Sequence, residues 1–275
     1  MKKIFIIIIT MLFICSCSKE EKATVFKSNI AKQTTTVYQV NQNKILLPEN
    51  NTSFKEENTN ISNQVNDNKP LIVIDAGHQA HGNNEQEPIG PGASETKAKV
   101  TTGATGISTG KLESEINLEV ALKLQKKLQE ANYQVIMIRT SQDVNLSNSE
   151  RAKIANDNNA DAFIRLHCNS ADTSSASGTL TMAPSLNNPY CNQIASSSYN
   201  LSKKVVDKIC NRTGSKNRGV MISDTMSGIN WCKVPVTIIE MGFLSNPQED
   251  MLLNDSIYQD KIVDGIVEGI NEFIK

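Results

Sequence analysis

The sequence predicts an α/β fold: a single domain with a twisted, largely parallel sheet flanked by helices on both faces. Two observations carry this. Short apolar runs of strand length, at Leu71–Ile74, Ala162–His167 and Val234–Met241, end abruptly in polar residues, as strands buried on both faces do. Between them lie stretches with helical periodicity, so strand and helix alternate along the chain. A length of 275 residues, with 39% hydrophobic and 21% charged residues, is ordinary for a folded globular protein.

Taken in order, folded structure is expected to begin at Pro70. Leu71-Ile72-Val73-Ile74 reads as a buried strand that runs into the Gly turn Asp75-Ala76-Gly77-His78. The segment from Gln79 to Leu112 is poor in apolar residues and rich in Gly, Ser and Thr; such long segments are functional or disordered. Glu113 to Ala131 is the clearest helix, with Ile116, Val120, Leu124 and Leu128 repeating every four residues. A strand over Tyr133–Arg139, a helix over Ser149–Asn158 and the strand Ala162–His167 follow. Next come a short strand at Gly178–Ala183, a helix over Asn192–Asn211 and the strand Val234–Met241. Asn246-Pro247-Gln248-Glu249 is a helix start, with Asn as cap and Pro in the first position. Tyr258–Ile274 closes the domain as an amphipathic helix.

The N-terminal region reads as processing and tethering sequence. Met1-Lys2-Lys3 precedes an apolar run from Ile4 to Ile14, too short for a membrane span, which needs about 20 residues. It ends in Ile14-Cys15-Ser16-Cys17 and resembles a lipoprotein signal. That resemblance makes residues 1–16 a signal peptide and Cys17 the lipidated N-terminus, anchoring the protein outside the cytoplasmic membrane. Residues 17–69, dominated by Asn, Gln, Thr, Ser, Lys and Glu, read as a flexible tether. The net charge of −1 excludes a nucleic-acid partner, which demands a concentrated basic face. Of the remaining cysteines, Cys168, Cys191, Cys210 and Cys232, no pair has the spacing of a structural zinc site, and disulfides are open to an exported domain. Cys168, next to His167 in a strand, is expected to face away from it as a small buried residue.

The chemistry concentrates at strand ends. The chain has 3 His, and His78 and His167 stand where strands end, the place where open α/β sheets build their sites. Glu240 ends a third apolar run, and a half-buried carboxylate there requires a metal or a proton as partner. Glu113 and Glu115, at the start of the first helix, are both candidates for a further ligand. Two His, one Glu and an open position suit catalytic zinc, which activates water near neutral pH; a second Glu outside the coordination sphere then moves the proton. His81 is expected to be a loop residue. Trp231, the only Trp, either lines a sugar-binding wall or packs.

Four segments make the sequence recognisable: Ile74-Asp75-Ala76-Gly77-His78, Glu113-Ser114-Glu115-Ile116-Asn117-Leu118, Leu166-His167-Cys168-Asn169, and Ile239-Glu240-Met241-Gly242-Phe243-Leu244-Ser245-Asn246. In this order, they resemble the zinc-dependent N-acetylmuramoyl-L-alanine amidases of the type 3 family. The resemblance covers 70–275 and implies a zinc amidase catalytic domain with a twisted mixed sheet. It implies that His78, Glu113 and His167 bind zinc, in preference to Glu115, and that Glu240 is the catalytic acid/base. The implied substrate is peptidoglycan, cut between the lactyl group of muramic acid and the L-alanine of the stem peptide. Two departures stand out: the first His is followed by a long loop instead of a short Gly-rich turn, and Arg165 replaces a commonly small residue two places before the second His. Arg165 shares a strand face with His167, which makes it, with Asn169, a candidate substrate contact; an ion pair with Asp75 or Glu240 is the other reading of Arg165. A zinc peptidase or deacetylase, or a peptidoglycan-binding lipoprotein without activity, are the competing functional readings.

Overall fold

A computed structural model of the chain describes residues 69–275. The signal peptide, Cys17 and the tether up to residue 68 lie outside the described residues. The sheet has six strands in the order β4-β1-β5-β8-β6-β7: β1 (Leu71–Ala76), β4 (Gln134–Met137), β5 (Ala162–Asn169), β6 (Thr179–Ala183), β7 (Asn217–Ile222) and β8 (Val236–Phe243). β4, β1, β5 and β8 pair in parallel, β6 turns antiparallel to β8, and β7 pairs in parallel with β6. The fold is therefore mixed α/β with a mostly parallel sheet, as the apolar strand runs predict.

Alternation along the strands sends neighbouring side chains to opposite faces, and both faces are covered. On one, Ile72, Ile74, Ile164, Leu166 and Ile239 pack against α1 (Glu113–Glu130), α3 (Ala195–Thr213) and α6 (Ser256–Ile274). On the other, Val73, Phe163, Val236 and Ile238 meet α2 (Asn148–Asp157) and the single turn α4 (Ser227–Asn230). Cys168 falls on the first face and is buried, while Arg165 and His167 fall on the second. All four cysteines of the domain are free, buried thiols.

The helix starts follow local chemistry. The Asn246 side chain accepts from the N–H groups of Gln248 and Glu249, with Pro247 opening α5 (Pro247–Leu253). Asp255 caps α6 through the N–H of Tyr258. The segment from Gln79 to Leu112 departs from the expectation of irregular chain. It contains an antiparallel ribbon, β2 (Asn83–Pro88) against β3 (Thr96–Val100). β2 has no apolar residue before Pro88, and the alternation of Ala98 and Val100 with Lys97 and Lys99 in β3 is too short to mark a strand; tertiary anchors fix the ribbon. Pro88 O accepts from Trp231 Nε1 at 2.9 Å, Lys99 O from Asn148 Nδ2 at 2.9 Å, and Thr101 O faces His78 Nδ1 at 2.8 Å. β7 was also illegible, because an edge strand with exposed Met221 and Ile222 carries no buried pattern. Among the described residues no helix is long and apolar enough to cross a membrane.

Candidate metal centre

β1 delivers His78 just beyond its last residue. The chain turns there with Gly77, and His78 itself adopts a left-handed backbone at φ 53°. That conformation is costly for a residue with a Cβ and concentrates at functional sites. Gly77 is required by close approach: a Cβ on it would lie 2.2 Å from Cε1 of the His167 ring. β5 delivers His167 beside it, in register with Glu240 of β8. The two imidazoles stand edge to face, with centroids 4.8 Å apart. Glu113, in the first turn of α1, inserts its carboxylate between them: Oε1 is 3.2 Å from His78 Nε2 and 3.1 Å from His167 Nδ1.

Backbone amides hold that carboxylate in place. Oε1 accepts from Cys168 N–H at 3.0 Å and Oε2 from Ala104 N–H at 2.8 Å. Burial pushes Glu113 up, yet hydrogen bonding from His167 and His78 outweighs it and holds the carboxyl well below the usual range. Burial lowers His167.

The tautomer of His78 decides whether this donor set fits a metal. Thr101 O only accepts, so Nδ1 at 2.8 Å carries a proton. In a neutral ring Nε2 is then a bare lone pair, aimed at a carboxylate oxygen 3.2 Å away. Two lone pairs at that separation repel unless a proton, as in the His78–Glu113 hydrogen bond, or a metal cation stands between them. A second nitrogen donor, His167, converges on the same oxygen. The ligand atoms of His78, Glu113 and His167 all lie within 4.8 Å of one another, and two imidazoles with one carboxylate form a donor set suited to zinc. The hydrogen bond from His78 Nδ1 to a carbonyl is the kind that orients a ligating imidazole.

Glu240 faces the same cavity, of about 330 Å³, that His78 and His167 line. Its Oε2 is buried with no hydrogen-bond partner among the described residues. Burial, and then the charge of Glu113, push its carboxyl up to about 8. Glu240 is thus poised to hold or release a proton near neutral pH, and a cation at the neighbouring cluster would draw it down.

Further residues absent from the sequence reading fasten this end of the sheet. Arg139 Nε donates to Ala76 O at 2.8 Å, and its Nη2 donates to Ser114 O at 2.6 Å and Gly77 O at 3.2 Å, tying the first turn of α1 to the Gly turn. Arg151 Nη1 donates to Asp75 Oδ1 at 2.6 Å. Asn117 Nδ2 donates to Gly77 O at 3.2 Å. Asn117 follows Glu113 by one helical turn, so a shared face was available as a signal; nothing in the sequence singles out Arg139 or Arg151.

The remaining candidates scatter. Glu115 accepts from Leu112 N–H at 3.0 Å and caps α1. His81 is exposed in the turn before the ribbon. Trp231 packs and donates to Pro88. Arg165 is 3% exposed; it pairs with Asp75, its Nε donating at 2.9 Å, and lines the cavity with Glu240. Asn169 accepts from Ser170 N–H at 2.7 Å and is absent from the cavity wall.

The family model for N-acetylmuramoyl-L-alanine amidases matches residues 72–272. The chain belongs to this amidase family. Among relatives, the N-acetylmuramoyl-L-alanine amidase LytC of Bacillus subtilis is 29% identical over 163 residues, 59% of this chain but 31% of LytC. YqiI of the same organism is 32% identical over 172 residues, 62% of this chain and 78% of YqiI. Among solved structures, an N-acetylmuramoyl-L-alanine amidase of Clostridium difficile 630 aligns at TM-score 0.61 and 26% identity, covering 75% of this chain and 97% of that one. Ami1 of Mycobacterium smegmatis shares the fold at TM-score 0.68 and 22% identity, covering 74% of this chain and 96% of that one. The His78–Glu113–His167 cluster lies within the matched span.

Proposed function

We propose that this protein is a zinc-dependent N-acetylmuramoyl-L-alanine amidase, anchored outside the cytoplasmic membrane through Cys17, that releases the stem peptide from peptidoglycan. The observation that carries the reading is the joint placement of two groups at one cavity, whose wall includes His78, His167 and Glu240. One is the pair of imidazoles, whose nitrogens meet the Glu113 carboxylate behind the wall at 3.2 and 3.1 Å. The other is a second, buried carboxylate, Glu240.

In this reading His78, Glu113 and His167 hold the metal. Zinc there would supply Lewis acidity, polarising the scissile carbonyl and making water a nucleophile near neutral pH. Glu240 Oε2 takes a proton from the attacking water and returns it to the departing amine nitrogen of L-alanine. Oε2 has no hydrogen-bond partner among the described residues, so it is free to hold that proton between the two steps. The ribbon closes one side of the cavity and limits solvent access to the reacting bond.

Digestion of purified muropeptides followed by mass analysis tests the reaction. The expected products are a free lactyl carboxylate on the sugar and a stem peptide with a free L-alanine amine. A shortened peptide still joined to muramic acid identifies a peptidase, loss of acetate a deacetylase, and unchanged muropeptides a binding protein. Cys17→Ser should move the protein out of the membrane fraction, and its retention there would rule out lipidation at Cys17 as the anchor.

A further inference from the structure

The face of the sheet that carries His167 and Glu240 also carries a cation with an open end. Arg165 precedes His167 by two residues in β5, pointing to the same side. Its side chain is nine-tenths or more buried, at 3% exposed. Two of its three nitrogens are satisfied: Nε donates to Asp75 Oδ2 at 2.9 Å, and Nη2 donates to Asn148 Oδ1 at 2.8 Å while lying 2.9 Å from Asp75 Oδ2. The third, Nη1, has no protein acceptor among the described residues. It lies against Gly228 of α4, where an added Cβ would sit 1.3 Å from it; only glycine leaves the guanidinium its place. Both Arg165 and Gly228 line the cavity.

A second cation borders the same space. Lys97, from β3 of the ribbon, is exposed and reaches over to donate to Thr225 O at 2.9 Å. It has no carboxylate partner among the described residues, and both Lys97 and Thr225 line the cavity. A guanidinium pinned by two neighbours is pre-organised, so little freedom is lost when it binds an anion. A lysine on a flexible stem can leave a carbonyl for a stronger, charge-assisted contact.

We infer that Arg165 Nη1 and Lys97 Nζ form a carboxylate subsite for the second residue of the stem peptide. This rests on the amidase reading above. The spacing selects the residue: two strand positions separate Arg165 from His167, about 7 Å, and two extended peptide residues span about the same distance. With the scissile amide at the metal centre, the group reaching Arg165 is the free α-carboxylate of a γ-linked D-glutamate. The enzyme therefore prefers stem peptides with this carboxylate free over those in which it is amidated.

The test compares L-alanyl-γ-D-glutamyl-L-lysine with its isoglutamine counterpart. Binding of each to the full chain is measured by calorimetry, and hydrolysis of the matching muropeptides is followed alongside. A charge-assisted contact predicts that the free-carboxylate peptide binds at least about tenfold tighter. Lys97→Met and Arg165→Lys should each narrow that ratio several-fold, and Lys97, being exposed, serves even if the Arg165 variant does not fold. Equal affinity for the two peptides, no binding of either, or an unchanged ratio in Lys97→Met overturns the subsite. A preserved ratio without turnover leaves the subsite standing and overturns the amidase reading instead.

Discussion

Two buried carboxylates, Asp75 in β1 and Glu113 in the first turn of α1, are neutralised in opposite ways. Asp75, on β1, is fully buried and meets two guanidiniums, Arg151 at 2.6 Å and Arg165 at 2.9 Å. Burial alone would raise it, yet the two arginines hold it well below the usual carboxylate range. Arginine carries its charge at any accessible pH and brings only donors, so the Asp75 carboxylate is fully matched. Glu113 meets two imidazoles, which carry lone pairs as well as protons, and a second carboxylate, Glu240, lines the cavity with those imidazoles, its Oε2 without a hydrogen-bond partner among the described residues. The difference separates a structural charge cluster from a chemical one. Burial and a depressed carboxyl are common to both; what marks the second is a partner set that can accept a cation.

The largest effect expected from this contrast is metal dependence. Chelation should abolish hydrolysis, and added zinc should restore it. Zinc at about 100 times its dissociation constant should stabilise the wild type by about 2.7 kcal/mol and leave Glu113→Gln unmoved, read as the shift in Tm. Full activity in metal-free protein would erase the distinction between the two clusters. Next is Glu240→Gln, which should retain zinc and Tm while kcat drops by about 100- to 10,000-fold, the range of general acid–base catalysis. Activity within tenfold of wild type would assign the proton transfer to another group.

The Asp75 cluster should answer in stability instead. Asp75→Asn leaves two buried guanidiniums without their counter-charge and should cost about 3–5 kcal/mol, measured by urea unfolding of the metal-free protein. A loss under about 1 kcal/mol, the scale of an exposed pair, would show that the Asp75 carboxylate is not matched in the sense argued. The smallest effect belongs to Asn148→Ala, which removes the hydrogen bond to Arg165 Nη2 and the one to Lys99 O. It should cost about 1–2 kcal/mol and raise KM more than it lowers kcat, because it loosens the ribbon and the guanidinium without touching the acid/base.

Much of the molecule was legible because its signals are local. The apolar runs that end at Asp75-Ala76-Gly77-His78, at His167 and at Glu240 follow from burial of a sheet on both faces. The four-residue spacing in α1 and the Asn246-Pro247 start of α5 depend only on residues within a few positions of one another. That Glu115 caps α1 while Glu113 turns inward is different: two residues apart, they leave a helix at angles the sequence permits either way, and only packing against β1 and β5 sends Glu113 to the imidazoles. The ribbon has the same status, since Asn83–Pro88 carries no periodicity and Thr96–Val100 only a short alternation, and both are fixed by anchors from Trp231, Asn148 and His78.

The sequence by itself therefore determined the α/β class, the sheet's buried strands and which polar residues stand at their ends, because strand and helix periods are set by neighbours in the chain. The tertiary structure alone decided that Asp75 takes both arginines, that Glu113 lies between two imidazoles and that Glu240 is left unpaired. Those outcomes depend on which side chains meet between elements 35 to 90 residues apart in sequence, and a buried charge takes whichever partner the packing brings within hydrogen-bond distance.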